Sequence, residues 1–127
     1  MGTPGQTVVR TQNKKQIHRW RFLYSYEDGS SMRLDERLTF ARPRGKGWEL
    51  TAFYVGLSLR DPDGGCVAQI VRYDTAHGYP HRDNLYEKPT SKSPLPVEPL
   101  EDIRRFALDD LCSRWHGYLS KYLRNYV

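Results

Sequence analysis

The stretch Trp48–Tyr73, WELTAFYVGLSLRDPDGGCVAQIVRY, consists of two apolar runs around one turn, and it decides the fold class. Trp48 to Arg60 is predicted as a long strand with apolar side chains on both faces in its middle. Cys66 to Tyr73 is a second two-sided run, the pattern of a strand buried near the centre of a sheet. Between them Asp61-Pro62-Asp63-Gly64-Gly65 supplies proline and Asp-Gly in the order a tight turn favours. A central antiparallel hairpin follows.

The chain on either side extends this pattern. From Gln16, the side chains Trp20, Phe22, Tyr24 and Tyr26 alternate with Arg19, Arg21 and Ser25, which reads as a half-buried strand with the rings inward. Asp28-Gly29-Ser30 turns the chain, and Met32, Leu34, Leu38 and Phe40 alternate with Arg33, Asp35, Arg37 and Thr39 in the next strand. RPRGKG (Arg42–Gly47) is a basic turn before Trp48. On the other side, Arg82 to Lys88 is available as a final strand. Residues 89–99, PTSKSPLPVEP, hold four prolines, a density that excludes a helix or a central strand. Beyond them Leu100, Ile103, Ala107, Leu111, Trp115, Tyr118 and Tyr122 recur at helical spacing, with Arg104, Arg105, Asp109, Asp110 and Arg114 largely off that stripe. Glu101 and Asp102 suit the positive end of the helix dipole, Lys121 and Arg124 the negative end. Gly117 costs about 1 kcal/mol against alanine in mid-helix, which suggests a close approach of another backbone.

The expected fold is α+β. It has an antiparallel β-meander of four to five strands over residues 16–88, a connector at 89–99, and one long amphipathic helix over 100–125 covering the sheet's dry face. Residues 1–15, with glycine, proline and no sustained period, are expected as a flexible basic arm before a single domain at 16–127.

The net charge is +5, and Arg10, Lys14, Lys15, Arg19 and Arg21 account for all of it, because residues 1–21 hold no acid while the remainder balances 15 against 15. A basic leading segment on a neutral body favours a polyanionic partner, nucleic acid first, and these five residues are its candidate nucleic-acid contacts. The competing account is a solvated tail that aids solubility. Cys66 and Cys112 match no metal or redox spacing and are expected as free thiols. No apolar run reaches the length of a membrane span, and a cytoplasmic protein without membrane contact is expected. Tyr118, Tyr122 and Tyr126 prolong the helical stripe, which suggests a homodimer.

The densest chemistry lies in YDTAHGYPHRD, Tyr73–Asp83. Gly78 and Pro80 preclude a regular helix between His77 and His81, so this is not the helical His-x-x-x-His grip on zinc. A metal clip using both imidazoles and Asp74 or Asp83 is weighed and set aside, leaving no expected metal or cofactor. A serine or cysteine nucleophile beside the histidines is lacking. Acid–base chemistry on a phosphodiester fits better: His77 and His81 share base and acid roles, Arg82 steadies the phosphate, and Tyr73 orients one ring. Asp74, Asp83 and Tyr86 are supporting residues. Against this stands a polar turn in which Asp74 caps backbone amides and the histidines satisfy loop carbonyls.

Tyr73, Asp74, Ala76, His77, Gly78, Pro80, His81, Arg82 and Asp83, after an Asp-Gly turn and an apolar strand, resemble the recurring pattern of small prokaryotic proteins of the TumE-type toxin–antitoxin family. The resemblance covers about residues 57–86. It implies a toxin-like protein, RNA as target, and a cognate helix-turn-helix antitoxin as partner. The functional expectation is a metal-independent endoribonuclease; the alternative is a non-catalytic nucleic-acid- or protein-binding module with exposed aromatics.

Overall fold

A computed structural model describes residues 3–97 and 99–127, with the side chain of residue 77 left aside. One antiparallel sheet runs in chain order through β1 (Gly5–Arg10), β2 (Lys14–Ser25), β3 (Ser31–Ala41), β4 (Glu49–Arg60), β5 (Cys66–Asp74), β6 (His81–Asn84) and β7 (Ser91–Pro94), followed by helix α1 (Leu100–Tyr126). The α+β class is as expected, but the described residues form seven strands rather than four to five. Both additional strands are edges, where pairing with a neighbour supplies the order that local periodicity lacks.

The expected arm at 1–15 is one of these places. Gly5↔Trp20 through Arg10↔Lys15 pairs β1 along β2, and Lys14 and Lys15 already belong to β2. Residues 1 and 2 lie outside the described residues. The proline-rich connector holds the other edge. Ser91–Pro94 pairs with β6, and Pro94 closes the strand, a position an edge tolerates. The expected final strand from Arg82 to Lys88 is shorter, ending at Asn84.

The central hairpin forms as the sequence indicates. At its turn Asp61 Oδ1 accepts the backbone N–H groups of Asp63 and Gly65 at 2.9 and 2.8 Å, and Gly64 takes φ of 88°, a left-handed conformation suited to glycine. Helix α1 lies across β4 and β5. Ile103, Ala107 and Leu111 pack with Met32, Leu34, Val55, Leu57, Val71 and Tyr73 in one core. Burying a side chain such as Leu111 contributes about 1.5–3 kcal/mol. Asp110, expected off the stripe, is buried within it. Tyr118 is buried too, and the Tyr126 hydroxyl donates to the Glu87 carbonyl, so the sheet side of this protein already engages part of the tyrosine series that suggested a dimer.

In β2 the faces are reversed relative to expectation. Trp20 pairs opposite Asp35 on the face away from α1, while Arg19 meets Glu36 and Arg21 donates to the Cys112 sulfur of α1. A register shift between Phe22 and Tyr24 then carries Tyr24 to the helix, 5.8 Å from the Trp115 ring. One extra residue inverts a period of two, so a single alternating run of rings is divided between faces. Among the described residues, no helix is long and apolar enough to cross a membrane.

Candidate functional site

Strand alternation divides the expected catalytic set. Across β5 and β6, Tyr73 pairs with Arg82 and Asp74 with His81. Successive residues of a strand point to opposite faces, so Tyr73 and Arg82 look toward α1 while Asp74, His81 and Asp83 look away from it. His81, Arg82 and Tyr73 therefore do not converge on one phosphate. The backbone of His77 lies in a turn of 3-10 helix, Ala76–Gly78; its side chain is outside what the structure describes.

On the outer face, His81 is only 1% exposed. Its Nε2 lies 2.8 Å from Asp74 Oδ1 and 3.6 Å from Asp83 Oδ2, and its Nδ1 lies 3.2 Å from the Tyr79 carbonyl. Arg72 Nε donates to Asp83 Oδ2 at 2.7 Å, and this hydrogen bond is the main reason its pKa stands above the usual guanidinium value. Asp74, His81 and Asp83 each present one ligand atom within 4.8 Å of the others, a donor set that suits zinc or a similar ion. Arg72 and Lys92, the latter 3.8 Å from Asp83, already neutralise those carboxylates. The guanidinium on the His81 face is thus Arg72, not Arg82. The spacing Arg72-x-Asp74 within one strand is the signal that could have assigned it.

The same face continues across the sheet. Asp35 accepts from Arg33 Nε at 2.8 Å and lies 2.7 Å from His18 Nε2. Burial pushes its pKa up, but the bonds from Arg33 and His18 and the charges of Arg33 and Arg60 outweigh burial and hold it below the ordinary carboxylate value. Gly56 stands between Asp35 and Arg72 in the register. A methyl group there would fall on the Tyr54 hydroxyl, so glycine lets the Tyr54 ring lie over the strand.

On the helix side, Asp110 collects the other half of the expected set. Its carboxylate accepts the Tyr73 hydroxyl at 2.6 Å and the Tyr118 hydroxyl at 2.7 Å. Arg82 donates through Nη1 to Tyr118 at 3.2 Å and through Nε to Asn84 at 2.6 Å. Burial first, and the bond to Asp110 second, push the pKa of both tyrosines far above the ordinary value, so they remain donors at neutral pH. The Tyr86 ring packs 5.2 Å from Tyr118. Asp110 was missed as a site residue. Its position three residues after Ala107, a same-face helical neighbour, is the sequence signal for its burial.

A third cluster forms where two turns meet. Arg42 donates its backbone N–H to the Asn13 carbonyl at 3.0 Å and a guanidinium N–H to the Gln12 carbonyl at 3.1 Å, joining the β1–β2 and β3–β4 turns. Around Trp48, Arg10 lies 5.3 Å, Lys15 4.9 Å and Arg42 4.9 Å from the ring centroid. Arg44 and Lys46 are exposed on the β3–β4 turn, and Lys14 is exposed at the start of β2. Among the described residues, none of these cations makes an ion pair; the pairs formed by arginine and lysine lie elsewhere. Of the expected nucleic-acid contacts, Arg10, Lys14 and Lys15 reach this tip. Arg19 is engaged with Glu36 at 3.5 Å and Arg21 with Cys112. The basic turn at Arg42–Gly47 was evident in the sequence, but its apposition to the first hairpin was not.

Comparison with known proteins returned one family. No curated protein and no solved structure matches the chain. A family model described as Domain of unknown function (DUF7718) matches residues 27–126, which include both faces of the β5–β6 pair and the whole of α1. Arg10, Lys14 and Lys15 lie before the match. Because the matched segment exceeds three quarters of the 127 residues, the chain belongs to the family described as Domain of unknown function (DUF7718).

Proposed function

We propose that this protein binds single-stranded RNA at the basic tip formed by its β1–β2 and β3–β4 turns. One observation carries the reading: Arg10, Lys15 and Arg42 gather around Trp48, Lys14, Arg44 and Lys46 are exposed close by in the chain, and none of the six has a carboxylate partner among the described residues. Unpaired cations along a surface attract a phosphate backbone, and each phosphate neutralised releases counterions. An indole beside them offers a face on which a base stacks in place of one cation. The tip recognises charge and ring faces rather than base edges, so binding is sequence-tolerant.

The test is binding of a fluorescein-labelled oligouridylate at several salt concentrations. Wild type is expected to bind with a steep inverse dependence on salt. Arg42→Ala/Arg44→Ala/Lys46→Ala weakens affinity at least tenfold and flattens that slope, and Trp48→Ala weakens affinity by about 1–3 kcal/mol. Unchanged affinity in the triple variant removes the tip from RNA recognition.

The toxin-like endoribonuclease is a second reading. In its favour, His81 has an acidic neighbour in Asp74 and a guanidinium, Arg72, on the same face. Against it, His81 is enclosed. Incubating RNA with wild type and with His77→Ala/His81→Ala in EDTA decides it: cleavage abolished in the variant supports a histidine mechanism, and no cleavage by wild type ends it. A helix-turn-helix antitoxin partner rests on the sequence resemblance, and co-expression with a DNA-binding protein from an adjoining reading frame tests it.

A further inference from the structure

Gly117 poses the question from which this inference starts. It lies in the middle of a 27-residue helix, where glycine is the poorest residue after proline. Among the described residues no backbone outside its own helix approaches it: nothing within 4 Å would meet an added Cβ. The close approach expected from the sequence is absent. What Gly117 does instead is leave open the floor of a cleft of about 390 Å³ between α1 and β6, lined by Arg82, Tyr86, Arg114, Gly117, Tyr118 and Lys121.

The walls of this cleft are selective. Three cations, Arg82, Arg114 and Lys121, line it, against the carboxylates of Asp110, 4% exposed at its side chain, and Glu87, which lies near Tyr86. That leaves a formal excess of one positive charge, three minus two. Arg82 is held in place by Asn84, Tyr73 and Tyr118, so its guanidinium is ordered before any ligand arrives. Arg114 Nε lies 3.9 Å from Asp110 with its side chain 76% exposed, free to swing over a bound group. Lys121 sits above the Tyr86 ring at 5.5 Å and covers a ring that is only 6% exposed, so a bound base takes its place there and leaves the ammonium to an anion. The far end of the cleft is fixed as well, because Asn125 donates to the Tyr86 carbonyl at 2.8 Å. A concave site with one ordered cation, two that can move onto a ligand and two tyrosine rings suits an anion joined to a flat aromatic group, and its volume lies within the range of small-molecule sites.

We infer that this cleft binds a nucleotide, its phosphate held by Arg82, Arg114 and Lys121 and its base against Tyr86, with Gly117 kept free of a side chain to admit it. The inference does not rest on RNA binding at the basic tip. The ligand's chemistry, a phosphate monoester on a nucleoside, occurs both in a free nucleotide and at the phosphorylated end of an RNA.

Calorimetric titration with AMP, adenosine and inorganic phosphate tests it, using the full chain and Gly117→Leu, Arg114→Ala and the tip variant. AMP is expected to bind at least tenfold more tightly than adenosine or phosphate. Gly117→Leu fills the floor and weakens AMP at least tenfold while its melting temperature equals or exceeds that of wild type, which separates occlusion from unfolding. Arg114→Ala weakens AMP several-fold, and the tip variant leaves it unchanged. A 5′-phosphorylated tetraribonucleotide distinguishes the sources. Tighter binding than AMP, lost in Gly117→Leu, identifies an RNA end; equal or weaker binding identifies a free nucleotide. No saturable AMP binding to wild type at millimolar concentration overturns the inference, as does equal AMP affinity in wild type and Gly117→Leu, or loss of AMP binding in the tip variant.

Discussion

Replacing Asp110 by alanine tests how the helix is anchored to the sheet. The wild-type carboxylate accepts the Tyr73 and Tyr118 hydroxyls at 2.6 and 2.7 Å and lies 3.7 Å from Arg82 Nη1. It is 4% exposed, so water does not replace these contacts when it is removed. Each hydrogen bond to a charged group contributes about 1.5–3 kcal/mol. Leaving a buried partner charge unpaired costs about 3–5 kcal/mol in total. Because Arg82 retains Asn84 and the tyrosine oxygens, the expected loss for Asp110→Ala is about 3–5 kcal/mol rather than the sum of both terms. For a domain of this size that corresponds to a fall in melting temperature of roughly 10–20 °C. Asp110→Asn keeps one acceptor and is expected to lose about half as much. Tyr73→Phe, which removes one donor and leaves the carboxylate with Tyr118, is expected to lose about 1–2 kcal/mol. Urea titration followed by tryptophan fluorescence measures all three, and the Tyr73→Phe/Asp110→Ala double variant gives the coupling. If Asp110→Ala loses less than about 1 kcal/mol, the carboxylate's desolvation had cancelled its bonds and the anchor does not exist.

Two further outcomes follow from the geometry. The pKa values of Tyr73 and Tyr118 are raised in the folded state, so their contribution to stability is complete below the ordinary tyrosine value of about 10 and is lost as pH rises beyond it, where the unfolded chain ionises first. Urea midpoints measured from about pH 8 to 11 should fall above about pH 10, less steeply in Tyr73→Phe; a flat profile contradicts the burial of these hydroxyls. Gly56→Ala drives a methyl group into Tyr54, which must leave its position under Arg37, so a loss of about 1–3 kcal/mol is expected. A thermal shift smaller than about 2 °C would mean that Tyr54 moves aside without cost.

Much of this molecule is determined by its sequence alone. The Asp61–Gly65 turn, the two-sided runs of β4 and β5 and the periodic stripe of α1 are local signals, since turn geometry and side-chain period are properties of a few consecutive residues. They suffice for the α+β class and for the helix bounds. Tertiary structure alone decided which face each run presents. A register shift in β2 moved Tyr24 to the helix and left Trp20 outside, and strand alternation across the β5–β6 pair parted His81 from Arg82 although they are neighbours in sequence. The site residues that mattered most were those whose partners lie far along the chain. Asp110 meets Tyr73 37 positions away, and Arg42 meets Gln12 across 30. Periodicity within one segment carries no record of such pairings, because they are selected by the packing of whole elements against one another.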